Sequence, residues 1–386
     1  MATSSVAGAP CRNVTLRHVL LFHRHGDRTP VLTSFGTTAP PQEDETAFWA
    51  SKVATPEQLK LLLETAKPVG ATALKAPVFT PSKDSQHPYG LLTCKGVQDM
   101  TQKGRALRER YGAFIDSKTV QREDVYVLSS SVPRTVESVQ SLLRGFFHDE
   151  DVQVPQFHVH TYEHNVLAPR HPRQVFNEIE LLVYDEVLKL RSESEREITK
   201  QLASHLRKCL AIPSDQPLSW TAIRDTLMCR AAHGWPYPDG IDHTIFQQVE
   251  AYDTWLWQRL YRGKDFCYRA FKEGVQEVYS FVKTVVENKQ LAKLSFFSAH
   301  DNSIVALLGA LQLEVGPHLP EYGSMLALEI YEDEATHEFF VLPRYDNKEV
   351  TFAGHEHDAL CPFAHFESLV LDFLSYRPSE QARAKH

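Results

Sequence analysis

The first strong pattern in the chain is a run from Val14 to Phe22 (VTLRHVLLF), rich in β-branched residues and leucine and ending at a Gly-Pro loop. Near-continuous apolarity at this length predicts a central strand buried on both faces. Short runs of the same kind recur at Val125-Tyr126-Val127-Leu128, Val154 to Thr161, Leu294-Ser295-Phe296-Phe297, Met325 to Tyr331 and Phe339 to Tyr345. Helical spacing lies between them. Val97, Met100, Leu107, Tyr111 and Phe114 share one face, with Arg and Lys interleaved. Pro133 to Phe147 carries a proline at its start and an apolar face of Val136, Val139, Leu143 and Phe146. Further helices are predicted over 272–289, over 302–312 and from Pro362 onward.

Two stretches break this rhythm. Ser34 to Gly90 is rich in Thr, Pro, Ala and Ser, with one helical patch at Pro56 to Lys67, and reads as an irregular excursion away from a sheet. Val166 to Arg269 is almost entirely helical in pattern, punctuated by PSDQP and GWPYPDG. Strand–helix alternation at both ends, with helices between, predicts an α/β three-layer sandwich around a mostly parallel sheet with an inserted helical cap subdomain. The core is assigned to 14–34, 91–165 and 270–376, and the mainly helical cap to the insertions 35–90 and 166–269. A length of 386 residues fits a core of roughly 250 carrying two insertions.

Composition narrows the function classes. A hydrophobic content of 42% with 23% charged residues belongs to a folded chain and argues against disorder. The 41 Lys and Arg against 49 Asp and Glu give a net charge of −8, a poor match for nucleic acid or an anionic membrane. That sum does not exclude a local anion pocket. No stretch reaches the roughly 18 apolar residues of a membrane span, so no integral membrane segment is expected. The N-terminus, MATSSVAGAPCRNVTLRH, lacks the apolar run of a secretory signal; it is free of acids and carries Arg12 and Arg17, in the manner of a transit peptide. A cytoplasmic location is expected, with a mitochondrial one as the alternative. The six cysteines (Cys11, Cys94, Cys209, Cys229, Cys267, Cys361) form no CxxC or zinc spacing and are expected to be free thiols.

Candidate chemistry gathers at the ends of three predicted strands. The first strand runs into Arg24-His25-Gly26-Asp27-Arg28-Thr29-Pro30. Loops at the carboxyl ends of parallel strands are where α/β sheets place ligands. Arg24 and Arg28 offer rigid forks of donors suited to phosphate oxygens. Gly26 is expected to let the backbone approach a ligand closely. His25 can attack phosphorus if it is neutral, and neighbouring guanidinium groups favour the neutral imidazole. Ser298-Ala299-His300-Asp301 follows the strand at 294–297, and Ser129-Ser130-Ser131-Val132-Pro133-Arg134-Thr135 follows the strand at 125–128. A sheet can bring all three segments together.

These segments resemble the signatures of the histidine acid phosphatases: RHGxRxP at Arg24–Pro30, a His-Asp pair at His300-Asp301, and a third phosphate-binding arginine at Arg134. Leu92-Thr93 with Gly96, and Leu107-Arg108-Glu109-Arg110-Tyr111, are similar to the family's LT…G…LRxRY helix. Tyr322-Gly323-Ser324 and Cys361-Pro362-Phe363 resemble its late motifs, so the likeness spans nearly the whole chain. The late features and His160-Thr161 are most similar to the lysophosphatidic-acid phosphatase subgroup. The resemblance implies a metal-independent and cofactor-free phosphomonoesterase. His25 is its nucleophile and becomes a phosphohistidine. Arg24, Arg28, Arg134 and His300 hold the phosphate oxygens. Asp301 is the general acid, and a protonated Asp301 implies an acidic optimum.

Plainer readings stand beside these. Asp27 is taken as a loop or ion-pair residue and His23 as a structural histidine. His158, His160 and His164, like His355-Glu356-His357-Asp358, are taken as hydrogen-bonded or solvated surface rather than metal sites. Trp220, Trp235, Trp255 and Trp257, with Tyr252 and Tyr261, are assigned to the core of the cap, where they could also wall a pocket for an apolar tail. The expected partner is a phosphomonoester, with lysophosphatidic acid the first candidate. A phosphohistidine mutase or transferase, and a silent phospholipid- or inositol-phosphate-binding protein, are the alternatives. Mutase relatives carry another residue where Arg28 stands, which favours hydrolysis.

Overall fold

A computed structural model describes residues 13–36, 42–70, 87–148, 154–161, 165–170, 188–216 and 218–378. β1 spans Val14–Arg24 and continues past its apolar run, so Arg24 is itself the last strand residue. The other strands are β2 (Ala66–Val69), β3 (Val125–Ser129), β4 (Phe157–His160), β5 (Leu294–Ala299), β6 (Met325–Asp333), β7 (Phe339–Tyr345), β8 (Lys348–Glu349) and β9 (Cys361–Pro362). They form one sheet in the order β2-β4-β3-β5-β1-β6-β7-β8, with β9 paired to β7. From β2 to β1 every pairing is parallel; from β1 outward through β6 and β7 every pairing is antiparallel. The sheet is thus mixed, and its parallel half carries the three motif-bearing strands.

The helices among the described residues begin with α1 (Glu43–Ala50), α2 (Pro56–Thr65), α3 (Cys94–Tyr111) and α4 (Pro133–Phe147). They continue with α5 (Glu193–Cys209), α6 (Trp220–His233) and α7 (His243–Arg262). The last three are α8 (Lys264–Val286), α9 (Asp301–Ala310) and α10 (Phe363–Leu374).

Alternation along β1 builds the layers. Val19 and Leu21 face one way and pack with Met100, Leu107, Val139, Leu143 and Phe146 of α3 and α4. Leu20 and Phe22 face the other way, among Phe271, Val275, Val278, Ile304, Leu307, Phe366 and Phe373 of α8, α9 and α10. The fold is therefore an α/β sandwich with its core on both sheet faces.

Two sequence expectations need correction. The stretch 35–90 does not only wander: it supplies β2, which pairs in parallel with β4 at the sheet edge. Pro68 in β2 obscured the strand, but a proline is tolerated on an edge where no neighbour needs its missing N–H. The cap aromatics also divide. Tyr252, Trp257 and Tyr261 belong to the main core rather than to a separate one. The last turns of α7 lie on the sheet face because only Gly263 separates α7 from α8. A separate hydrophobic cluster is formed by Leu202, Leu206, Ile223, Leu227, Phe246 and Val249 from α5, α6 and the start of α7. Trp235 stacks instead on Phe48, at 4.5 Å between centroids.

Among the described residues no helix is long and apolar enough to cross a membrane. His160 stacks on Tyr126, and no described group of three or more His, Cys, Asp or Glu is placed to hold a metal ion. Cys94, Cys209, Cys229, Cys267 and Cys361 are free thiols. Residues 1–12, which include Cys11 and Arg12, and His164 lie outside the described residues.

Candidate active site

Strand register assembles the site. Arg24 of β1 lies beside Ala299 of β5, and Ser129 of β3 lies beside Ser298 of β5. The three loops leave the same edge together. The His25 N–H donates to the Ala299 carbonyl at 3.0 Å, and the Ser130 N–H to the Ser298 carbonyl at 3.0 Å. His25 and His300 come to 5.6 Å between ring centroids. Arg24, Arg28 and Arg134 all act electrostatically on His25. The six residues singled out in the sequence are thus neighbours.

His25 is 1% exposed. Its Nδ1 lies 2.9 Å from the Gly26 carbonyl, which can only accept, so Nδ1 carries the proton and Nε2 keeps its lone pair. Burial, then the charges of Arg134, Arg28 and Arg24, hold the imidazole well below its usual pKa, and it is neutral. His300 is also neutral, pushed down to about 3 by burial and then by Arg134. It shares a 3.1 Å hydrogen bond with the Ser130 hydroxyl.

Each arginine is held through Nη and leaves its Nε without a hydrogen bond; the second Nη of Arg24 makes none either and faces Asp301. An Nη of Arg24 donates to the Pro320 carbonyl at 2.7 Å, and its guanidinium lies 4.2 Å from the centre of the Tyr322 ring. Arg28 makes a two-pronged contact with Asp225, at 2.6 and 3.2 Å. Arg134 donates to the Gly90 carbonyl at 3.2 Å. The Nε atoms of Arg24, Arg28 and Arg134 are buried without a hydrogen-bond partner. Buried donors are normally satisfied, so three orphaned N–H groups around one histidine describe a seat for an anion's oxygens.

Asp301 opens α9, and its Oδ1 accepts the Asn302 N–H at 2.9 Å. Its Oδ2 faces Arg24 at 3.2 Å and Arg224 at 3.6 Å. Burial pushes this carboxyl up, but Arg24, Arg224 and Arg28 outweigh it and hold it below the usual carboxylate range. In the free site Asp301 is therefore ionised, so the protonated form implied for the first chemical step is not the resting one.

Gly26 also has a packing reason. A Cβ there would lie 2.7 Å from Met100, 3.1 Å from the Gly96 carbonyl oxygen and 3.2 Å from Leu92, so close packing against α3 leaves little room for a side chain. Its N–H donates to Ser138 Oγ at 2.8 Å. Asp27 accepts hydrogen bonds from the Thr93 hydroxyl and from His233 Nε2, the latter at 2.7 Å, and is a hydrogen-bonded loop residue. His23 donates through Nδ1 to the Arg24 carbonyl at 3.0 Å, inside the core.

Sequence reading missed what the cap contributes. Arg224 and Asp225 sit side by side on α6, one reaching Asp301 and the other Arg28. Asp253 of α7 is fully buried and lies 2.7 Å from Arg224 Nε. The available signal was a pair of adjacent charges between Ile223 and Leu227 on a helix with little polar surface. Cys229 also approaches Arg28, but burial pushes its thiol up to about 12, so it is no nucleophile here.

An α/β sandwich with arginines, a neutral histidine and a carboxylate at the carboxyl edge of its parallel strands is the class of a phosphoryl-transfer enzyme. Residues 15–229 match the model of the histidine phosphatase superfamily (branch 2). Lysosomal acid phosphatase of Homo sapiens is 26% identical over 356 residues, covering 87% of this chain and 72% of the relative. Counting factor 60 of Dictyostelium discoideum is 24% identical over 368 residues, covering 92% and 85%. Among solved structures, the apo phytase of Hafnia alvei aligns over 95% of this chain and 98% of its own, with a TM-score of 0.60 at 14% identity, a likeness of fold. The chain belongs to branch 2 of the histidine phosphatase superfamily, the histidine acid phosphatases, and its enzymatic class is the phosphoric monoester hydrolases.

Proposed function

We propose that the chain hydrolyses a phosphomonoester bearing a single phosphate through a phosphohistidine on His25. The observation that carries this reading is the set of three unpartnered Nε donors, from Arg24, Arg28 and Arg134, around a neutral His25 whose Nε2 lone pair is free. The phosphate oxygens take these donors and His300, which stabilise charge in the transition state. The bond from Nε2 to phosphorus forms as the ester P–O bond breaks, and the departing alcohol oxygen takes its proton from Asp301. Water then attacks phosphorus, its proton passes to Asp301, and inorganic phosphate leaves with His25 restored.

Because Asp301 is ionised in the free site, the first proton must arrive with the substrate. A phosphomonoester has a second pKa near 6, so below that pH it binds as a monoanion and brings a proton that Asp301 can relay. An acidic optimum follows from the substrate's charge state rather than from Asp301 alone.

The surroundings favour one phosphate and an uncharged or apolar alcohol. A cavity of about 560 Å3 borders Arg24 and Arg224 and is walled by Met228, Trp255 and Leu319, with the carboxylates Glu250 and Glu321. A polyphosphorylated ring would meet those carboxylates. Lysophosphatidic acid, with one phosphate and an acyl tail, is the substrate to test first.

His25→Ala is expected to lose at least 10^3-fold in turnover, as for removal of a nucleophile. Rapid quenching with labelled substrate is expected to trap an acid-labile, alkali-stable phosphoenzyme. Label on Ser or Asp, or unchanged activity in His25→Ala, defeats the scheme. Phosphate release in water alone, with no acceptor, separates hydrolysis from mutase or transferase chemistry.

A further inference from the structure

Outside the residues that touch phosphate lies a second buried ion pair aimed at Asp301. Arg224 of α6 spans two carboxylates: its Nε is 2.7 Å from Asp253 Oδ2, and an Nη is 3.6 Å from Asp301 Oδ2. Asp253 is fixed in turn. Its Oδ1 accepts the Thr221 hydroxyl at 2.9 Å, and Thr221 Oγ1 accepts the Trp257 indole N–H at 3.0 Å. Trp257 belongs to the main core, so the chain of contacts runs from rigid packing to the carboxylate. A buried arginine carries a desolvation cost that only well-placed partners offset. Asp253 alone could neutralise it, yet the guanidinium is shared with Asp301.

We propose that the Arg224–Asp253 pair is a positioning device for Asp301, holding Oδ2 of the carboxylate from α6, together with Arg24 from β1, and governing when Asp301 carries a proton. This rests on the proton-relay role given to Asp301 above. The other charged groups acting at Asp301 are Arg24 at the end of β1, Arg28 in the loop after it, and Arg134 on α4. His300, its neighbour, is neutral, and the Tyr261 hydroxyl of α7 is buried and protonated. Arg24, Arg28 and Arg134 are committed to the phosphate, so their pull on Asp301 weakens when substrate binds. The pull of Arg224 does not, because it reaches Asp301 from the cap. Asp253 moderates that pull by drawing part of the guanidinium charge.

The signs can be separated. Arg224→Gln removes a cation from Asp301, so the carboxyl keeps its proton to higher pH. The alkaline limb of kcat, which reports the substrate complex where Asp301 holds the relayed proton, is expected to move up by about one pH unit, as for an opposite charge within about 4–6 Å. Asp253→Asn leaves Arg224 fully charged, so the same limb is expected to move down. Arg224→Lys keeps the charge and is expected to hold the limb within a few tenths of wild type, whatever the loss in rate. A packing role would lower the rate without moving the limb, or move it the same way in both variants; either result overturns the proposal. If Arg224→Gln does not fold, Asp253→Asn and Arg224→Lys still decide the question. Carbon NMR titration of the Asp301 carboxyl in substrate-free protein, assigned with Asp301→Asn, gives the same signs without turnover. Shifts there in an inactive enzyme would defeat the proposed function and leave the coupling standing; no shift would defeat the coupling.

Discussion

Gly96→Ala tests how closely the catalytic loop depends on its backing helix. Gly96 lies in the first turn of α3, where the Thr93 hydroxyl caps the helix by accepting the Gly96 N–H at 2.9 Å. The same hydroxyl donates to Asp27, so the helix start and the loop share one anchor. A Cβ at Gly96 would stand 2.2 Å from the Asp27 carbonyl oxygen and 2.9 Å from Leu92, against 3.4 Å for an ordinary contact. Helix and loop must part by about 1 Å, since a close-packed interior has no slack to absorb the methyl. The overpacking is expected to cost about 1–3 kcal/mol of stability.

The larger effect is expected in catalysis. Asp27 sits between His25 and Arg28, so a 1 Å retreat misplaces nucleophile and donor together, and such an error costs about 10^2-fold in rate. The assay is kcat/KM for phosphate release from a simple aryl phosphate, with urea unfolding alongside. Gly274→Ala is the control. Its Cβ would meet the Phe271 ring at 2.3 Å within α8, a comparable overpacking that does not bear on the loop. It is expected to lose stability with kcat/KM within about threefold, because its strain falls on the Phe271 ring and the Val166 carbonyl rather than on the Asp27 backbone. Equal activity losses in the two variants, or full activity in Gly96→Ala, would refute the reasoning.

Two further outcomes are expected. Asp225→Asn removes the charge that holds Arg28 and should cost about 3 kcal/mol of stability, as for a broken buried pair, with weaker inhibition by inorganic phosphate; unchanged phosphate affinity counts against Arg28 being set by the cap. His18 and His23 are both pushed down to about 4 by burial, so the unfolded chain binds protons first as pH falls from 6.5 toward 4, and stability falls with it. Each should cost about 2–3 kcal/mol between pH 7 and 4.5, and His18→Asn, which can still donate to the Ala292 carbonyl, should flatten the pH slope of urea unfolding; an unaltered slope rules out His18 as a source.

The fold and the gathering of Arg24, His25, Arg28, Arg134, His300 and Asp301 were legible because they rest on local pattern. Strands buried on both faces, such as β1 and β5, write themselves as unbroken apolar runs. Arg24, His25 and Arg28 stand within five residues at the end of β1, and His300-Asp301 and Arg134 follow equally plain strands. β2 was not legible because an edge strand of four residues with a proline leaves no periodicity to read. Gly26 was read toward the ligand because its neighbour on α3, Met100, is far off in sequence. Arg224, Asp225 and Asp253 were missed for a related reason. A charge on a helix is ordinarily solvated, and only the tertiary pairing across 197 positions from Arg28 to Asp225 makes this one buried.

That pairing changes what the site can bind. Arg24, Arg28, Arg134 and Arg224 gather in one buried cluster, but Asp225, Asp253 and Asp301 are packed among them. Three carboxylates among four guanidinium groups, with both histidines neutral, offset most of the positive charge. A cluster counted from the arginines alone would call for a dianion or a polyphosphate. The buried balance calls for a monoanion, since an uncompensated second charge in such a site is costly. A phosphomonoester below pH 6 meets that requirement and carries the proton that Asp301 lacks. These carboxylates therefore act on substrate charge and on acid dependence at once, and neutralising Asp225 should shift the preference toward the dianionic ester.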